Sequence, residues 1–191
     1  CPTLEPRAGE RAVYCGFLGE SPALTPTPRD CVLVYLGAGS VTAGVALRAG
    51  RELAEVLGCD VYVAGVPEAI YASRGHTVTC APRFNFSELL PCARVFVHHG
   101  GQNSMMDALS YEVPQLIVSG RVFERQFNAE AVESARCGLT VRKPKPALIA
   151  RAARALLDEP ALTSGIRGLR EELSSLGGAA RIVREVEKLI S

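Results

Sequence analysis

The sequence is short of several things, and each shortage excludes a class of function. No apolar run approaches the ~20 residues that span a bilayer, so no membrane span is expected in this segment. No stretch has the layout of a secretory signal peptide. An excess of charge of either sign is lacking too: 21 Lys and Arg stand against 20 Asp and Glu. That balance gives no broad electrostatic case for nucleic acid or an anionic membrane surface as a partner. The seven cysteines, at positions 1, 15, 31, 59, 80, 92 and 137, include no C-x-x-C pair. Without ligand-like spacing, no metal site of the zinc type is expected. Several of these cysteines lie in apolar strands. They are read as buried thiols of a reducing compartment, which makes the cytoplasm the expected location. Tryptophan is absent altogether, and there is no internal repeat or low-complexity tract.

What is present is the material of an ordinary globular α/β domain. The 191 residues, 48% of them apolar, suffice for one ample α/β core or two small ones. Residues 1–30 are rich in Pro and Gly and read as a linker with one apolar run, "VYCGFLG" (13–19), expected as a lead-in strand. From residue 31 to 191 the pattern is regular. Strands are predicted at "CVLVYLG" (31–37), "DVYVAG" (60–65), "HTVTCAP" (76–82), "RVFVHH" (94–99), "QLIVSG" (115–120) and "LTVR" (139–142). Helices are predicted at 42–57, 103–112 and 124–136, with two more amphipathic helices after residue 160. Strands alternating with helices imply right-handed crossovers. The expected fold is therefore a doubly wound, Rossmann-like parallel sheet of about six strands with a C-terminal helical tail. Ligands of such sheets sit beyond the carboxyl ends of the strands, here the loops after Leu36, Cys80, His99 and Ser119.

The most informative of these junctions is "HHGGQNSMMDAL" (98–109). A buried strand feeds two glycines and then a helix. Glycine lets a ligand approach the backbone, and the first helical N–H groups carry unpaired donors and the positive dipole end. With His99, Asn103 and Ser104 adding side-chain donors, the constellation suits a diphosphate. A plain N-cap by Asn103 or Ser104, with His99 packed, is the alternative. His98 alternates to the other face of the strand and reads as structural. "LGAGS" (36–40) also follows a strand, but it fails the G-x-G-x-x-G template because position 42 is Thr, which argues against a Rossmann dinucleotide site.

The stretch "HHGGQNSMMDALSYEVPQLIVSGRVFERQFNAEAVESARCGLTV" resembles the donor-binding motif of GT-B nucleotide-sugar glycosyltransferases, the UDP-glycosyltransferase superfamily and its bacterial natural-product members. That pattern runs H-G-G-x-N-S/T, a Glu, G-V-P, D/E-Q and an N-A pair. Here His99, Gly100, Gly101, Asn103, Ser104, Val113, Pro114, Glu124, Asn128 and Ala129 match it in order. "CVLVYLGAGS" resembles that domain's first strand and "CAPRFNFSELLPCA" its nucleobase loop. The likeness spans roughly 12–190, with 80–142 as its specific part.

The resemblance implies roles residue by residue. His99 would meet the donor diphosphate, with Gly100, Gly101, Gln102, Asn103 and Ser104 completing the cradle. Asp107 stands where the family has a ribose-binding Glu, one methylene longer. Cys80, Ala81, Arg83 and Phe84 stand in the nucleobase loop. Cys80 replaces the stacking Trp of many members, which leaves Phe84 or no ring at all to stack. Glu124, Arg125 and Gln126 stand at the donor-sugar position, with Arg125 in place of the usual Gln. Gly39 and Ser40 are second-tier candidates.

The implied function is the donor-binding half of an inverting glycosyltransferase. Such an enzyme moves a sugar from a nucleoside-diphosphate sugar, UDP- or TDP-linked, to a small-molecule acceptor. No cofactor and no metal are expected. His99 would stabilise the leaving group, and the acceptor-activating base would belong to an N-terminal acceptor domain in the same chain or a partner subunit. The isolated chain is therefore expected to be inactive. The start at Cys1 and the Pro-rich lead favour a fragment over a natural donor subunit. A catalytically silent nucleotide-sugar binding module and a related epimerase are the further alternatives.

Overall fold

The computed structural model describes residues 1–6, 12–19, 21–37 and 41–190. Among these residues seven strands form one sheet: β1 (Cys31–Tyr35), β2 (Asp60–Ala64), β3 (Ala69–Ser73), β4 (His76–Ala81), β5 (Ala93–His98), β6 (Gln115–Ile117) and β7 (Gly138–Thr140). Their order is β3-β4-β2-β1-β5-β6-β7, parallel throughout except for β3 against β4. The helices are α1 (Ala43–Leu57), α2 (Phe86–Leu89), α3 (Gln102–Ser110), α4 (Phe123–Ser134), α5 (Pro146–Asp158), α6 (Ile166–Ser175) and α7 (Gly178–Ile190). None of the described helices is long and apolar enough to cross a membrane.

The central strands are continuous apolar runs buried on both faces: Val32, Leu33 and Val34 in β1 and Val95, Phe96 and Val97 in β5 are inaccessible to solvent. α1 and α5 cover one face through Ala49, Leu53, Ile149, Ala153 and Leu156. α3, α4 and α6 cover the other through Met105, Leu109, Ala129, Val132, Leu169 and Leu173. The chain lays β2 and β4 on one side of β1, then returns to lay β5, β6 and β7 on the other. The strand order therefore reverses between β1 and β5, and in sheets of this kind the crevice for ligands lies beyond the carboxyl ends at that point.

The doubly wound class is as expected, with particular differences. The seventh strand, β3, is a hairpin partner of β4 joined by Arg74 and Gly75, both at positive φ (47° and 86°). Two positive φ values are what a two-residue I′ turn demands, but R-G is a weaker written signal than N-G. Residues 13–19 do not form the expected lead-in strand; Cys15 and Phe17 instead bond to Gly178 and Leu173 of the helical tail. α5, which periodicity had not marked out, starts at Pro146 in the first helical position. At the far edge, the Thr140 amide of β7 donates to Glu133 Oε1 of α4 at 2.7 Å. α7 buries none of its residues, and Val183, Val186, Leu189 and Ile190 of its apolar stripe are exposed.

α1 approaches the sheet closely at Gly50, where an added Cβ would lie 2.7 Å from Val63 Cγ2, whereas at Gly44 it would meet only the end of the Arg48 side chain at 3.6 Å, an ordinary contact. Gly→Ala within a helix ordinarily stabilises by up to ~1 kcal/mol. Gly44→Ala should be neutral or stabilising, and Gly50→Ala should destabilise by about 1–3 kcal/mol through overpacking against a rigid valine. Urea unfolding of the two variants checks this, and equal shifts would contradict the packing.

Candidate functional site

The crevice begins where β5 ends. His98 is the last residue of the strand and is fully buried. Its Nδ1 accepts the Gly100 N–H at 3.2 Å, and its Nε2 faces Gln115 Oε1 at 3.0 Å. Because Nδ1 accepts an amide proton, the ring hydrogen is on Nε2 and is donated to Gln115. Burial holds the His98 imidazole down to about 3, so it stays neutral.

His99 points the other way and is half-buried. Its backbone N–H donates to the Tyr35 carbonyl at 3.2 Å, and Nδ1 lies 3.4 Å from the same oxygen. A carbonyl only accepts, so Nδ1 carries the proton and Nε2 is the free end of the ring. The ring stands edge-on to Tyr35, centroids 5.3 Å apart. Two glycines make room for it. A Cβ at Gly101 would lie 2.6 Å from Nε2, and one at Gly37 would lie 3.0 Å from Nδ1. Burial lowers the His99 pKa; the bond to Tyr35 opposes this, Arg125 adds to it and Glu124 opposes it.

Gly100 turns the chain at φ +88°, and a Cβ there would meet Ile117 Cγ2 at 2.9 Å and the Arg125 carbonyl at 3.1 Å. The first turn of α4 thus packs directly on the glycine loop. The Gly100 carbonyl accepts from Asn128 Nδ2 at 2.8 Å. α3 then starts at Gln102 with Gly101 as its N-cap and no side-chain capping bond. The side-chain N-cap by Asn103 or Ser104 is therefore not what forms. The N–H groups of Gln102, Asn103 and Ser104 precede the first intrahelical bond, which Met105 makes to Gly101. Gln102 and Asn103 are exposed, and Ser104 is buried.

One turn further on, the exposed Asp107 lines a cleft of about 390 Å³ formed by α3 and the 16–19 segment, including Phe17 and Asn103. The cleft walls desolvate its carboxyl and raise its pKa.

The sequence-predicted residues thus divide into groups. His99, Gly100, Gly101 and the start of α3 lie beside the first turn of α4: Arg125 packs on Gly100, and both Glu124 and Arg125 act on the charge of His99. The Gln126 side chain has its Nε2 engaged, donating to the Gly120 carbonyl at 3.1 Å. The base loop lies apart, because β4 is three strand spacings from β5, roughly 14 Å. Within that loop Cys80 needs correcting: it sits in β4, 4% exposed, in the core under α1, so its side chain does not face a ligand. Ala81 is half-buried, Arg83 is exposed, and Phe84 lies edge-on to Tyr62 at 5.6 Å. Gly39 and Ser40 lie outside the described residues. Tyr35, Gly37 and Asn128 were missed as site residues. The signal for Asn128 was its place in the N-A pair of the motif, which carried no role for it. All seven cysteines are free thiols, three of them (Cys1, Cys15 and Cys92) only partly buried.

This is the architecture of one half of a GT-B glycosyltransferase, as in the calicheamicin glycosyltransferase CalG4 (TM-score 0.72, 23% identity, 91% of this chain and 45% of that one). The family model "Erythromycin biosynthesis protein CIII-like, C-terminal domain" matches residues 66–189, and the chain belongs to that family. Among curated relatives, it is 26% identical over 184 residues to 10-deoxymethynolide desosaminyltransferase of Streptomyces venezuelae, covering 93% of this chain and 42% of that protein. It is 37% identical over 94 residues to elloramycin glycosyltransferase ElmGT of Streptomyces olivaceus, covering 49% of this chain and 23% of that protein. Among solved structures, glycosyltransferase VinC in complex with DTDP shares the fold with TM-score 0.73 and 22% identity over 98% of this chain and 50% of that one. The chain spans less than half the length of the curated relatives it matches.

The neutral, buried His98 has a consequence for stability. Unfolded, the imidazole takes a proton below its ordinary value of 6.5; folded, it refuses one down to about 3. Its contribution is therefore complete above the unfolded value and is lost as pH falls. From about pH 7.5 to about pH 5.5, wild type should lose ~1.4 kcal/mol more than His98→Gln in chemical denaturation. Parallel pH profiles for the two proteins would show that His98 titrates normally.

Proposed function

We propose that this chain is the donor-binding half of an inverting glycosyltransferase acting on a nucleoside-diphosphate sugar and a small-molecule acceptor. The observation that carries this reading is the uncapped start of α3 at the β1/β5 crevice, with the free edge of His99 over Gly101. In single displacement, the acceptor oxygen bonds to the anomeric carbon as the bond to the diphosphate oxygen breaks. The electron pair leaves on the diphosphate, and free N–H groups at a helix start stabilise that growing charge without reorganising. Glu124, beside the crevice, is the acceptor for sugar hydroxyls, and Arg125 flanks it. The Asp107 carboxylate, in its cleft one turn along α3, is the acceptor for the ribose diol. The base that deprotonates the acceptor belongs to another domain, so the 191-residue chain alone binds donor without turning it over.

Two neighbours were solved with thymidine diphosphate, VinC and the spinosyn rhamnosyltransferase SpnG (TM-score 0.74, 17% identity, 97% of this chain and 54% of that one). Thymidine diphosphate and its sugars are therefore the probes of choice, with the uridine series beside them.

His99→Ala should weaken thymidine diphosphate and its sugar alike by about ten- to a hundredfold, the loss of one charge-assisted bond. Glu124→Ala should weaken only the sugar-bearing donor, and Asp107→Ala should behave like His99→Ala. Because Nδ1 is committed to Tyr35, Nε2 can donate to a phosphate only when the ring is doubly protonated. Binding then takes up a proton, and nucleotide-sugar affinity should fall by up to tenfold per unit as pH rises from about 6 to about 8. The diphosphate diester of the sugar donor has no ionisation near neutrality, so the slope reports the protein. Calorimetric titration of the three variants checks all of this. If Glu124→Ala weakens thymidine diphosphate as much as His99→Ala does, the sugar assignment is wrong.

Nucleotide binding in this reading uses helix dipole and imidazolium rather than a bridging ion. Among the described residues no cluster of three or more His, Cys, Asp or Glu could hold a metal. Affinity for the nucleotide sugar should be the same with EDTA as with added magnesium; a large loss on chelation would contradict the proposal.

A further inference from the structure

We propose that Asn128 and His98 are positioning residues for the diphosphate, acting through the peptide units of Gly100 from behind the loop. This deepens the donor-site reading and rests on it. Gly100 is gripped at both ends by side chains almost excluded from water: His98 at 0% and Asn128 at 4% exposure. His98 Nδ1 holds its N–H at 3.2 Å, and Asn128 Nδ2 holds its carbonyl at 2.8 Å.

The consequence follows from peptide geometry. The Gly100 carbonyl shares a planar trans unit with the Gly101 N–H, and in such a unit the two point in opposite directions. Drawing the carbonyl toward Asn128 therefore sends the Gly101 N–H away from α4, where it joins the unpaired donors of Gln102, Asn103 and Ser104. The bond to His98 likewise fixes the unit between His99 and Gly100. The backbone N–H of His99 is already tied to Tyr35. His99 is thus held on both sides, and its ring is set by residues that touch no ligand.

Glycine at φ +88° has wide freedom, so this loop needs an outside restraint if its donors are to be aimed before the ligand arrives. Asn128 supplies that restraint from α4, the helix whose first turn carries Glu124. The same bond therefore holds the phosphate-facing loop in register with the sugar-facing helix.

The test separates diphosphate from nucleoside recognition. Backbone amide spectra of the full chain are recorded with thymidine, thymidine diphosphate and its sugar, for wild type, Asn128→Ala and His98→Phe. Both variants should lose about tenfold or more in diphosphate affinity while thymidine shifts are unchanged. Equal losses for thymidine and thymidine diphosphate would show general destabilisation and overturn the proposal, as would no loss at all. Wild type alone gives a second check should a variant not fold. The Gly100 amide should be protected from hydrogen exchange without ligand, and the Gly101 amide should shift and become protected only on adding thymidine diphosphate. A freely exchanging Gly100 amide, or a Gly101 amide indifferent to the ligand, overturns the proposal. Should wild type show no response at 99–104 to any nucleotide, the donor-site reading fails and takes this inference with it. A response there in wild type that the variants retain in full removes this inference alone.

Discussion

Between β5 and α3 the chain must reverse its direction within three residues while leaving the end of a helix bare. The requirement is steric before it is chemical. Side chains at Gly37, Gly100 or Gly101 would collide with His99, Ile117 or α4. The turn can therefore be this tight only because all three positions lack a Cβ. The absent side chains let α4 seat on the loop, let the imidazole lie between two backbones, and leave the first donors of α3 without an internal competitor. The rest of the carboxyl edge is arranged around that turn.

The polar groups behind the turn follow a consistent logic. A buried histidine is ordinarily a cost, since it is desolvated whether or not it is charged. Here the neutral ring is used at both nitrogens, one accepting from Gly100 and one donating to Gln115. The neighbouring histidine has one nitrogen committed and one free. Adjacent residues of the same type thus have opposite assignments, because strand alternation sends one ring into the core and the other to the crevice.

Much of this was legible in the sequence, and what was not has physical causes. The parallel strands declared themselves as apolar runs between glycine and proline signals. The glycine pair marked the crevice, because no other residue permits that geometry. β3 was hidden by an unremarkable R-G turn and a short, half-exposed run. The lead-in segment carries strand-like residues, but its partners are the helical tail, a long-range packing choice that local pattern does not encode. Cys80 held its motif position, yet strand parity turned it inward. Gln126 stood beside the sugar position in the chain, but its amide was taken by Gly120. Asn128 was visible only as one letter of a motif, because its role depends on a carbonyl 28 residues away.

The bond from Thr140 to Glu133 has a meaning beyond α4 and β7. An edge strand offers its outward N–H groups to any extended chain that passes. β7 is only three residues long, and its Thr140 donor is already occupied by a carboxylate. A foreign strand docking there would have to displace a charged acceptor to gain a neutral one. The sheet is thereby discouraged from growing at this end, and of its two edges only β3 is left to pair with a further strand by this criterion.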